Sequence, residues 1–169
     1  MDKKLIQTVP EFFQNYINIV PDGNMLTTYK NQSSALIDFY SSINESKSLY
    51  RYSEGKWSIR ELIGHMCDTE RIFTYRALRI ARNDQTPLSG FDENVYVENA
   101  NFDSLPFSTL LKHYINIRNS NYDLFSSFSE IDFTKTGIVE GNKINIVTIL
   151  GILIGHSEHH KRVVKERYL

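Results

Sequence analysis

The stretch that most restricts this chain opens at Ser58-Ile59-Arg60-Glu61. A serine followed three residues later by a glutamate is a capping box, in which each side chain satisfies a free backbone N–H of the other. No proline follows before Arg82, and Leu62, His65, Met66, Thr69, Ile72, Phe73, Arg76 and Ile80 recur every three to four positions. That period predicts one long helix from Ser58 to Ala81 or Arg82 with a single inward stripe. A lone helix cannot keep such a stripe from water, so other helices must cover it. His65 and Arg76 both lie on the stripe, among apolar neighbours.

The rest of the chain supplies the covering helices. Residues 9–20 read as a short helix with Pro10 in its first turn, and Met25 to Ile43 read as a longer one. Leu105 to Phe128 is a third long helix, with Leu110, His113 or Tyr114, Ile117 and Asn121 in phase. Ile146 to about Arg167 is the last, with Asn145 as its N-cap and Ile149, Ile152 or Leu153, His156, His160, Val163 or Val164, and Arg167 on its seam. Glu140-Gly141-Asn142-Lys143, between short β-prone runs, reads as a small hairpin. The expected fold is all-α, a four-helix bundle; its long connections favour crossovers over simple up-and-down winding. A length of 169 residues suits one domain spanning the whole chain, 1–169.

The segment Asn83 to Pro106 is long for a connection inside a bundle, and such segments are often functional. With Phe91, Tyr96 and Phe102 it is expected to fold down as a wall or lid of a pocket, with a short helical turn near Glu93 to Val97.

Composition excludes some classes. Lys and Arg total 19 against 20 Asp and Glu, so a near-neutral chain offers no electrostatic basis for nucleic-acid binding. No apolar run is long enough to cross a membrane. A single cysteine, Cys67, forms no internal disulfide and fits a reducing, cytoplasmic setting.

The chemistry concentrates in histidines. Three of the five fall in Gly155-His156-Ser157-Glu158-His159-His160-Lys161. Residues four apart on a helix share a face, so His156 and His160 point together. Two readings stand: part-buried imidazoles satisfied by local hydrogen bonds, or ligands of a divalent metal completed by His65 from a facing helix. His159 cannot aim where His160 aims and is expected beside the site or in solvent; His113 is expected as a boundary residue. Cys67 is rotated away from His65 and is expected as a small buried apolar residue. Asp68, Glu70 and Arg71 are expected as surface or helix-pair charges. Arg76 requires a carboxylate partner, either an acidic residue of the long loop or a substrate anion.

Several blocks also carry a resemblance. Lys56-Trp57-Ser58-Ile59-Arg60-Glu61-Leu62-Ile63-Gly64-His65, Asp68-Thr69-Glu70-Arg71-Ile72-Phe73, Tyr75-Arg76-Ala77-Leu78-Arg79, Pro87 to Asn94, and Gly155 to His160 with Lys165-Glu166-Arg167-Tyr168-Leu169 together resemble the DinB-like (YfiT-like) superfamily. The resemblance covers nearly the whole chain. It implies a four-helix bundle with a divalent metal held by His65, His156 and His160. It also implies a metal-dependent hydrolase or a transferase using a low-molecular-weight thiol, and an assembly as a homodimer. The metal's identity (Zn, Ni, Mn or Fe) stays open, as does any catalytic residue of the protein. The alternative is a non-catalytic, stress-associated bundle that binds metal or a small ligand. If the histidines hold an ion, protonation of imidazoles with pKa near ~6.5 should weaken it below about pH 6.

Overall fold

A computed structural model describes all 169 residues. The helices are α1 (Glu11–Asn18), α2 (Met25–Ser41), α3 (Ile59–Ala81), α4 (Glu93–Ala100), α5 (Phe107–Ser126), α6 (Glu130–Thr134) and α7 (Ile146–Arg167). Strands β1 (Thr136–Val139) and β2 (Asn142–Asn145) form one antiparallel hairpin, with Val139 opposite Asn142. Its two turn residues, Glu140 and Gly141, both have positive φ, as a two-residue hairpin turn matched to strand twist requires.

The bundle consists of α2, α3, α5 and α7. Helix α3 packs against α5 and α7, and α2 packs against the same two helices. The first two long helices, α2 and α3, therefore face each other across the diagonal, as do the last two, α5 and α7, and the long connections expected from the sequence are what permit this. Helix α1 covers α7 from outside. None of the helices is long and apolar enough to cross a membrane.

Local sequence chemistry sets where each helix starts. The Ser58 hydroxyl accepts from Glu61 N at 3.0 Å and the Glu61 carboxylate accepts from Ser58 N at 2.8 Å, closing the capping box. Beside it, the buried Arg60 donates to Ser48 Oγ, to Glu45 Oε1 and to the carbonyls of Asp103 and Leu105. Both flanking connections are thus tied to the first turn of α3, which fixes the height and rotation of His65. In α7 the Asn145 side chain accepts from Thr148 N at 2.9 Å, as its N-cap role predicts.

The core is divided. One apolar cluster includes Met25, Tyr29, Phe73, Ile80, Phe125 and the first half of α7; the other includes Leu36, Tyr40, Leu62, Met66, Tyr114 and Val164. Between them each bundle helix contributes polar residues. Arg118, fully buried, donates from Nη1 to Glu70 Oε1 at 2.7 Å and from Nε to Ser33 Oγ at 2.9 Å. Its Nη2 reaches Tyr29 O and Gln32 Oε1, both at 3.1 Å. Glu70 Oε2 also accepts from Tyr29 Oη and Asn121 Nδ2, both at 2.8 Å. This corrects one expectation. Glu70 is no surface charge but 1% exposed at the centre of the bundle. On α5, Ile117 packs against the core as its phase predicts, and the neighbouring Arg118 is buried with it. A buried ion pair is tolerated because every donor and acceptor finds a partner. Asp68 and Arg71 do form the expected i, i+3 pair, at 3.0 Å. His113 faces solvent while Tyr114 fills the core.

Candidate metal centre

His65 comes from α3, and His156 and His160 from successive turns of α7. Each of the first two follows a glycine that permits close helix approach. A Cβ on Gly155 would lie 2.1 Å from Tyr16 O, and one on Gly64 would lie 2.4 Å from the Phe102 ring. The absence of those side chains seats α1 against α7 and the Phe102 turn against α3, directly beside the two histidines.

The three Nε2 atoms converge. His65 Nε2 is 2.9 Å and His160 Nε2 is 3.0 Å from His156 Nε2, and all candidate ligand atoms lie within 4.8 Å of one another. His65 and His156 are buried, and His160 is partly exposed as a residue although its Nδ1 is buried. Burial pushes the His65 pKa down to about 4. Burial, followed by repulsion from the neighbouring imidazoles, holds His156 and His160 well below the ordinary histidine range. All three are therefore neutral near neutral pH, the form that ligates a metal.

Hydrogen bonding alone does not satisfy this arrangement. His156 Nε2 has either one proton or one lone pair, so it can serve only one of its two neighbours. His160 Nδ1 is buried without a partner as well. Nitrogens separated by about 3 Å match donors sharing one ion at ~2.0–2.1 Å. The donor set thus fits a divalent ion, though three neutral imidazoles do not discriminate strongly among Zn, Ni, Mn and Fe.

The histidines line a cavity of about 520 Å³. Aromatic walls come from Phe13, Tyr16, Trp57, Phe73 and Phe91, and the Trp57 ring centroid is 4.8 Å from that of His65. Glu93, from the long loop, faces the same space and, after burial itself, is the second cause raising the Tyr16 pKa. The loop therefore does supply a wall. It is pinned by Leu88, whose N donates to Ile138 O at 2.9 Å and whose carbonyl accepts from Glu140 N at 3.0 Å.

His159 is partly exposed, with its ring 5.4 Å from Tyr16, beside the triad and outside it. Cys67 is buried and its thiol is pushed up to about 12 by burial, which leaves it inert. Arg76 is buried, but the long loop offers it the Ser89 carbonyl at 2.8 Å, and the nearest carboxylate is Glu140 of the hairpin at 3.9 Å. The hairpin wall, Val139 to Ile144, and the N-terminal wall, Thr8 to Tyr16, escaped the sequence reading. Neither carries a motif; only their packing makes them part of the site.

Comparison with known proteins places these features. A family model described as the DinB superfamily matches residues 29–164. A protein of Oceanobacillus iheyensis named "putative metal-dependent hydrolase" is 25% identical over 142 residues, covering 83% of this chain and 79% of the relative. A Bacillus licheniformis protein of the same description is 27% identical over 128 residues, covering 73% and 71%. Among solved structures, YfiT from Bacillus subtilis, described as a "probable metal-dependent hydrolase with an unusual four-helix bundle topology", superposes with a TM-score of 0.73. It shares 16% identity, with 95% of this chain and 88% of that one covered. The mycothiol-dependent maleylpyruvate isomerase superposes with a TM-score of 0.70 at 15% identity, over 82% of this chain and 58% of the other. At those identities the two structures speak for the fold, and both share it. With the bundle, the histidine arrangement and the family match in agreement, the chain belongs to the DinB superfamily.

Proposed function

We propose that His65, His156 and His160 hold a divalent metal ion and that the chain, acting as one domain, is a metal-dependent enzyme on a small molecule. The supporting observation is the convergence of three neutral Nε2 donors in the wall of an open, aromatic-lined cavity. Three protein ligands leave room for a further one, and all three histidines line the cavity from which it would come. When bound, the ion would act as a Lewis acid and lower the pKa of a coordinated water or thiol. The chain's own contribution is positioning. The capped start of α3 and the Gly155 crossing hold the imidazoles in place, and Phe13, Phe73 and Phe91 exclude bulk water. Glu93 stands in the same cavity as a carboxylate able to accept a proton.

Two reaction classes suit one site: hydrolysis, as the curated relatives' names suggest, and a reaction that uses a low-molecular-weight thiol, for which the neighbour named as a mycothiol-dependent isomerase is a precedent. Metal analysis of tag-free protein tests the centre. Wild type should carry an equimolar ion and His65→Ala background levels; equal, negligible metal in both would overturn the proposal. Screening the loaded protein with thiols plus electrophiles, against simple esters and amides, separates the two reactions.

A further inference from the structure

Arg76 is the buried cation of the cavity that the chain leaves incompletely paired. It is 4% exposed and lines the cavity. Its Nη2 donates to Ser89 O at 2.8 Å, and the half-exposed Glu140 carboxylate stands 3.9 Å from the same nitrogen. Nε and Nη1 have no protein acceptor. Arg118, by contrast, uses all three of its nitrogens in hydrogen bonds. The Arg76 guanidinium is nevertheless held in position, lying 4.7 Å from the Phe73 ring centroid and 5.9 Å from that of Phe91. Between it and His65 on the same stripe sits Thr69, 3% exposed, one of the residues lining the cavity, whose buried Oγ1 has no hydrogen-bond partner. Lys143 adds a second cation to the cavity wall.

We propose that Arg76 and Thr69 hold a carboxylate of the substrate at the end of the cavity remote from the histidines. This rests on the cavity being the substrate site proposed above. A guanidinium with free donors matches a planar carboxylate, and a buried charge with only a distant partner gains from such a ligand. Eleven residues separate His65 from Arg76, about 16 Å along the helix axis, and the Arg76 side chain leans back toward His65. The substrate class is therefore an elongated small molecule: a reacting group at the histidines, an apolar middle against Phe73 and Ile152, and an acid at the far end.

The test compares a mercaptoalkanoic acid with the mercaptoalkanol of equal chain length. Binding to cobalt-loaded protein is followed by the thiolate-to-cobalt absorption, and in parallel by emission of Trp57, the sole tryptophan, which lines the cavity. Wild type should bind the acid about tenfold more tightly than the alcohol, the size expected of a charge-assisted hydrogen bond. Arg76→Gln should abolish that preference at unchanged cobalt stoichiometry, Arg76→Lys should keep part of it, and Thr69→Val should reduce it. Equal affinity for acid and alcohol in wild type, or a preference that survives in Arg76→Gln, would overturn the proposal. A protein that takes up no cobalt would overturn the metal centre alone, because Trp57 emission still reports on Arg76 without the ion.

Discussion

Two polar clusters share the middle of this bundle, and they differ in how completely they are paired. Around Arg118 and Glu70, four helices contribute donors and acceptors in balance, and each buried charge meets its opposite. Around His65, His156 and His160, donors of one kind face each other, and His160 Nδ1 and Thr69 Oγ1 have no partner. The two clusters are neighbours in sequence: Glu70 follows Thr69 and Ser157 follows His156, so one residue of rotation separates a satisfied core from an unsatisfied cavity. Burial alone does not distinguish a structural polar group from a functional one. Saturation of its hydrogen bonds does.

The largest expected effect breaks the saturated side. Arg118→Met leaves Glu70 as an uncompensated buried charge and should cost about 3–5 kcal/mol in denaturant unfolding, without changing metal uptake of the folded fraction. Adding Glu70→Met should restore part of that stability, since replacing both partners removes the stranded charge. His156→Ala should do the opposite: metal content falls to background, while metal-free stability drops by only about 1–2 kcal/mol, because no saturated network is lost. If His156→Ala proved the more destabilising of the two without metal, the contrast would fail.

Acid should separate the clusters further. Burial holds His65 at about 4 in the folded chain, against ~6.5 for an unfolded histidine. Between those values the unfolded chain binds more protons, so metal-free stability is full above about pH 6.5 and declines as pH falls toward about 4. His65→Ala should flatten that slope in pH-dependent unfolding. The same burial delays protonation of the folded site, so ion release should set in below the pH near 6 expected from ordinary imidazoles. The smallest effect belongs to Asp68, two positions before Glu70 but paired with Arg71 at the surface; Asp68→Ala should stay within about 0.5 kcal/mol.

The four long helices, their caps at Ser58 and Asn145 and the hairpin were legible because their signals are local: periodicity, a capping box, an N-cap. The convergence of His65 with His156 and His160 was legible in part, since all three continue apolar seams. Glu70 was misread because it sits at the margin of the α3 stripe, where periodicity leaves inward and outward undecided; Arg118 on α5 resolves the choice. The N-terminal and hairpin walls of the cavity had no local signal at all.

The amino-acid order alone thus determined which segments are helical, where they begin, and that histidines lie on buried stripes. These follow from interactions within a few residues. Which stripes meet, which buried charges find partners and which are left facing a cavity depend on the diagonal pairing of α2 with α3 and of α5 with α7. That pairing is set by the simultaneous burial of four apolar faces. It turns Glu70 into a structural anchor and leaves Arg76, two turns along the same helix, with donors to spare.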